Sequence, residues 1–435
     1  MTHPTQRSGR RKGLAAAAVT ASALLLSGCA PAEDTPVLTW YINPDDGGQA
    51  TIAQECADAS NGAYRIETSL LPNDAASQRE QLTRRLAAGD SSMDIMSLDP
   101  PFIPELAEPG FLAEVPQDVR DQSEANTLEG VLAGAMWRDE LVTVPFWANT
   151  QLLWYRKSVA EAAGLDMTQP VTWDQIIEAA RDQNKLLGVQ GARGESMTVW
   201  LNALITGAGE DIIANPEAPA AEVTTNLDSE AGRKAAEIIS TIGSDGLGGA
   251  GLSTMRENES MLLFQGDRGS FMVNWPFVWA ATNASVEGGS LPADLPEDIG
   301  WALYPQTDAD HPAAPPLGGI NLGVGADSEH QDLAWQAVTC ITSAEKQAYY
   351  FATNGNPPAD PAAYDDPQLE EAYPMADFIR DSLDQAAPRP QTPFYNEVST
   401  AIQQRYAPPS GVNPSTTPGE TDSFIQQVLR GERLL

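Results

Sequence analysis

The chain has 435 residues, 60 of them acidic and 25 basic, for a formal net charge of −35. That acidity excludes a nucleic-acid partner, which needs a basic surface. Three cysteines and three histidines, with no His-x-Glu or Cys-x-x-Cys spacing, give no basis for a zinc site.

The first feature in chain order is a basic stretch (Arg7, Arg10, Arg11, Lys12) followed by an apolar run from Leu14 to Leu26. With small residues after it, this pattern reads as a secretory signal peptide over residues 1–28. The apolar run falls short of the roughly 20 residues needed to span a bilayer. Leu26-Ser27-Gly28-Cys29 resembles a bacterial lipobox. The resemblance implies lipidation of Cys29, cleavage before it and tethering to the outer face of the cell membrane. Residues 1–28 hold four basic and no acidic residues, so the 21 basic and 60 acidic residues left give the mature chain a net −39. About 407 residues remain, enough for two or three domains with full cores.

After a tether at 29–36, the expected elements alternate. Strands are expected at 37–42, 64–71 and 93–98. Helices are expected at 48–60, at 75–88 with Leu82, Leu86 and Ala87 on one face, and at 101–108. Alternation argues for a parallel α/β sheet. No glycine fingerprint follows the first strand, so neither a dinucleotide nor a P-loop cofactor is expected. Strand-like segments at 140–145 and 150–156 are broken by Phe146-Trp147-Ala148-Asn149, which reads as a crossover between lobes. Helices follow at 173–186 and 199–208, then one capped by Ser229 and running to 242, then one at 257–265. Strands are expected at 269–273 and 299–304. A Gly318-Gly319 strand comes next, and the remainder is mostly helical. Cys56 and Cys340 are an even pair in an oxidising compartment, open to one disulfide or to two separate buried thiols. His311 and His330 sit in polar, loop-like surroundings that do not suit a Ser-His-Asp triad.

Four motifs in order resemble the extracellular solute-binding proteins of sugar ABC importers (solute-binding protein family 1). They are Met93-Asp94-Ile95-Met96-Ser97-Leu98-Asp99, Asn149-Thr150-Gln151-Leu152-Leu153-Trp154-Tyr155, Phe264-Gln265-Gly266-Asp267-Arg268-Gly269 and the Gly318-Gly319 strand. The resemblance implies a two-lobe α/β fold with a hinge and an interlobe cleft, no enzymatic activity and ABC permease subunits as partners. It places the N-terminal lobe at 37–146 plus 318–368 and the C-terminal lobe at 149–316 plus 371–435. Asn274-Trp275-Pro276-Phe277-Val278 and Arg389-Pro390-Gln391-Thr392-Pro393-Phe394-Tyr395 are similar to the trehalose-binding branch of the family, the lipoproteins of mycobacterial trehalose-recycling importers. That branch implies a Cys56–Cys340 bridge, a monomer, and sugar contacts from Asp99, Asn149, Glu257, Trp275, Gly319 and Arg389.

These residue types suit a disaccharide. A carboxylate such as Asp99 or Glu257 accepts from two hydroxyls, Arg389 donates through a planar fork, and Asn149 does both. Charge-assisted hydrogen bonds contribute roughly 1.5–3 kcal/mol each. Each residue also has a structural alternative. Asp99 could cap the helix after it, Asn149 could be a turn residue, and Glu257 could serve the helix dipole. Trp275 could be core, Arg389 could be a surface residue, and Glu259 competes with Glu257 for the cleft. Trp40, Trp147, Trp154, Trp200 and Trp279 read as core or cleft wall. The expected function is capture of trehalose and delivery to a permease. The alternatives are another solute (maltose, maltodextrin or a glycerophosphodiester) and a lipid-anchored glycoside hydrolase, which also needs paired carboxylates.

Overall fold

A computed structural model describes residues 35–45 and 47–435, with side chains of 368, 370 and 371 left aside. The signal peptide, most of the tether and Cys29 lie outside these residues. Among the described residues no helix is long and apolar enough to cross a membrane.

Eleven strands occur among them: β1 (Val37–Ile42), β2 (Arg65–Leu70), β3 (Ile95–Leu98), β4 (Met136–Trp137), β5 (Glu140–Leu141), β6 (Val144–Thr150), β7 (Leu152–Arg156), β8 (Leu186–Gly188), β9 (Gly269–Asn274), β10 (Ile299–Ala302) and β11 (Leu317–Gly323). They form a five-stranded sheet in the order β2-β1-β3-β11-β6, a four-stranded sheet in the order β10-β7-β9-β8, and the small β4-β5 pair. Each large sheet packs one cluster of its own, and a third cluster joins Ala148 and Leu317 of the first sheet to Leu152, Trp154, Met272 and Ile299 of the second. Trp40, Ile95, Phe146 and Ile320 pack around the first, and Leu153, Trp173, Trp200 and Phe271 around one face of the second. The result is a two-lobe α/β architecture, as the family resemblance implies.

Several expectations need correction. The sheets are mixed. β1 runs parallel to β2 and β3, but β11 is antiparallel to both β3 and β6, and β7 is antiparallel to β9 and β10. Residues 146–149 are not a break. They lie inside β6, because Phe146 and Ala148 are fully buried and the strand pairs with β11 along its length. The chain passes to the second sheet at the single residue Gln151, which is itself buried.

The helix expected at 173–186 is Trp173–Asp182, opened by a Thr172–Gln175 capping box. Asn184 in the left-handed region (φ 53°) ends it, so Leu187 belongs to β8. The helix expected from 199 begins at Glu195, since its polar first turn hides the start from an apolar pattern. Ala87 is exposed, and Gln78 joins Leu82 and Leu86 on the buried face. A helix at Phe277–Glu287, behind Pro276, was not expected. The helix Glu257–Gln265 and the Ser229 cap, which accepts from the Gly232 amide, are as read from the sequence.

Cys56 in the helix Gly48–Ala59 and Cys340 in the helix Gln331–Ile341 stand with their sulfurs 2.04 Å apart, 284 residues distant in sequence.

Candidate functional site

The site is built where strands end. In open α/β sheets the C-terminal ends of strands leave room for a ligand. Asn43 follows β1 and Asp99 follows β3; Trp147 and Asn149 project from β6 beside Gly318 and Gly319 of β11. Trp275 follows β9, Glu257 and Glu195 stand at the starts of two helices, and Arg389 comes from a loop. Together they line one cleft of about 280 Å³, close to the lower end of small-molecule sites, roughly 300–1,000 Å³.

The surroundings decide between the alternative roles. Asp99 occupies the cap position of the turn Pro100–Phe102, but its carboxylate makes no capping bond. Its Oδ1 instead accepts from Arg389 Nη2 at 2.6 Å. Arg389 is 5 % exposed, hence no surface residue, and its Nη1 donates to Glu195 Oε1 at 2.7 Å. Asn149 is a strand residue. Its Oδ1 accepts from the Thr150 amide, and its Nδ2 has no acceptor among the described residues. Trp275 is half-buried against the backbone of Gly318, where an added Cβ would come within 3.1 Å of the indole Cη2. Gly319 has φ 118°, and a Cβ there would meet the Trp147 carbonyl at 2.3 Å, so a side chain would force β6 and β11 apart. Glu259 closes the cap of its own helix on the Arg256 amide at 3.0 Å, whereas Glu257 accepts from Ser196 Oγ and lines the cleft.

Asn274 joins these parts. Fully buried, it donates from Nδ2 to the Glu257 carbonyl at 2.9 Å and accepts from the Trp275 amide at 2.9 Å. One side chain thus fixes the indole and the carboxylate relative to each other.

Burial opposes the charge on Arg389, but the neighbouring Asp99, Tyr395 and Glu195 outweigh it and hold the guanidinium cationic, well above its ordinary value. Burial is also the largest influence on Asp99, and with the Glu195 carboxylate nearby it lifts the Asp99 carboxyl above the usual carboxylate range against the pull of Arg389. Trp40, Trp154 and Trp200 are core, Trp147 walls the cleft, and Trp279 packs edge-on against Trp301 at 5.7 Å.

Sequence reasoning missed Glu195, Asn43 and Gln78. Asn43 had the same signal as Asp99, a polar residue directly after a buried parallel strand. Glu195 had only its place in a helix's first turn. Among the described residues no cluster of three or more His, Cys, Asp or Glu is arranged to hold a metal ion.

A two-lobe α/β fold with two large sheets and a cleft lined by amides, carboxylates and two indoles has the form of a two-lobe binding protein. Residues 52–348 match the family described as bacterial extracellular solute-binding protein, and the chain belongs to that family. Its members bind solutes and are not enzymes. The Deinococcus radiodurans protein named "Probable ABC transporter-binding protein" is 24 % identical over 353 residues, covering 76 % of this chain and 78 % of the relative. Among solved structures, maltose-bound MalE3 of T. maritima superposes with a TM-score of 0.75 at 24 % identity, over 91 % of this chain and all of that one. The GacH receptor of Streptomyces glaucescens, solved unliganded and with acarbose, gives 0.72 at 19 % identity, over 91 % and 98 %. These likenesses show a shared fold.

Proposed function

We propose that the chain is the substrate-binding lipoprotein of a carbohydrate ABC transporter. In this reading it captures trehalose outside the membrane, anchored through Cys29, and delivers it as a monomer to permease subunits. The lobes are 37–146 plus 318–368 and 149–316 plus 371–435, and the ligand contacts are Asp99, Asn149, Glu257, Trp275, Gly319 and Arg389. The observation that carries the reading is the convergence of all six on one cleft, with Trp275 as a flat apolar plate and polar groups around it. A pyranose presents the same pairing of C–H face and hydroxyl rim. Closure of the lobes would then bury the sugar, a hinge motion known in periplasmic binding proteins.

Maltose is the second reading, because the MalE3 structure is described as maltose-bound. A glycerophosphodiester fits less well with a cleft holding three carboxylates and one guanidinium. Calorimetry on the mature chain should give a dissociation constant near micromolar for trehalose, about −8 kcal/mol, and weaker binding for maltose. Trehalose at about 100 times that constant should add roughly 2.7 kcal/mol of stability. Absence of heat with trehalose would refute the ligand, and glucose release on incubation would refute a non-catalytic receptor.

We also propose that Cys56 and Cys340 form a disulfide in the secreted protein. Closing a 284-residue separation restricts the unfolded chain strongly, by about 5.6 kcal/mol in the chain-entropy model. The unreduced mature protein should show no free thiol at these positions. Replacing both cysteines by serine should lower the unfolding free energy by about 3–5 kcal/mol. Two titratable thiols in the unreduced protein would disprove the bridge.

A further inference from the structure

Arg389 is the only cation among the described residues lining the cleft, and both of its terminal nitrogens are engaged. Asp99 takes Nη2 from the first lobe, and Glu195 takes Nη1 from the second. Glu195 is itself held tightly. The Tyr395 hydroxyl donates to its Oε1, while Ser399 Oγ at 2.8 Å and Gln403 Nε2 at 3.4 Å donate to its Oε2. Tyr395, Ser399 and Gln403 are four residues apart on the helix Tyr395–Tyr406, so one helix face clamps the carboxylate. The acid also sits in the first turn of its own helix, where the dipole favours it.

The charge arrangement has a consequence for what can enter. Three carboxylates, Asp99, Glu195 and Glu257, line the cleft with a single guanidinium. An arginine with a free fork is a bidentate receptor for phosphate or carboxylate. With Glu195 on Nη1, that fork is not offered. An anionic group has no hydrogen to donate to the carboxylates and must shed water beside them. A neutral polyol donates to the carboxylates and accepts from the N–H groups left over.

We infer that Glu195 sets the charge selectivity of the cleft: by occupying Arg389 it shuts out anionic solutes and restricts the site to uncharged polyhydroxyl ligands. The inference rests on the sugar reading above and narrows it. Glu195 acts through Arg389 and is in this sense a positioning residue.

The test is calorimetry of the mature chain and its Glu195→Gln variant with trehalose and trehalose 6-phosphate. The wild type should prefer the neutral sugar by at least about 100-fold, and Glu195→Gln should narrow that ratio by at least about tenfold. In an Arg389→Met background the same change should narrow the ratio less, because only the direct repulsion by Glu195 is then lost and no guanidinium fork is freed. Equal ratios in wild type and Glu195→Gln would overturn the inference alone. No heat from the wild type with trehalose, maltose or maltotetraose would end the sugar reading and this inference with it. If Glu195→Gln fails to fold, salt on the wild type decides. Raising sodium chloride from about 20 to about 500 mM should tighten the phosphate severalfold by screening repulsion and leave trehalose unchanged. Phosphate binding that weakens with salt would overturn the inference.

Discussion

Replacing Trp275 with alanine should weaken trehalose binding by at least tenfold, about 1.4 kcal/mol or more, with the fold intact. The indole is half-buried and lies against Gly318, and it does not belong to the packed core of either sheet. Its removal therefore opens the cleft wall rather than a core cavity. Large aromatic contacts at the centre of a site commonly cost about 2 kcal/mol or more when truncated, because the plate excludes water from neighbouring polar contacts. Trp275→Phe keeps a flat apolar face and should recover much of the loss. Titration calorimetry reads the affinities, and a melting curve without ligand checks the fold. An unchanged dissociation constant in Trp275→Ala would remove the indole from the ligand site.

Arg389→Met is expected to have the larger effect, and on two properties. It removes a donor from the cleft and leaves Asp99 and Glu195 facing each other with the guanidinium gone. Breaking a buried ion pair by deleting one partner typically costs about 3–5 kcal/mol of stability. The hydroxyl and amide donors to Glu195 on the Tyr395–Tyr406 helix soften that cost on one side only, since Asp99 has no other side-chain donor among the described residues.

The pH dependence has a definite sign. The folded Asp99 carboxyl already lies above its ordinary value through burial, and without Arg389 it should rise further. A carboxyl with a folded pKa above its unfolded value, near 3.9, costs no stability below the unfolded value. The cost grows as pH rises through the window between the two and is complete above the folded one. The deficit of Arg389→Met against wild type should therefore be smallest near about pH 4 and largest at neutral pH. Urea denaturation at several pH values measures it. A deficit that grows on acidification would contradict the arrangement around Asp99.

Much of the fold was legible because burial imprints local patterns. β1 is a largely apolar run broken only by Thr39, the Glu257–Gln265 helix begins and ends where the pattern does, and Ser229 sits where a cap belongs. The errors share a cause. Phe146 to Asn149 read as a break because aromatic, small and polar residues alternate there, which is what a strand shows when one face packs on a core and the other walls a cleft. The polar start of the Glu195–Thr206 helix was invisible to an apolar periodicity for the same reason, since its first turn faces the ligand space.

The sequence alone determined the alternation of strand and helix, the net acidic charge, the basic-then-apolar pattern of the first residues and the identity of the polar residues that follow buried strands. These are local properties, fixed by neighbours along the chain. Only the tertiary structure decided that Arg389, 290 residues from Asp99, closes on it, that Glu195 shares the same guanidinium, and that Gly318 gives Trp275 its seat. Such contacts depend on how two sheets, joined by a buried cluster that draws on both, are set beside one cleft. No periodicity within either segment carries that information.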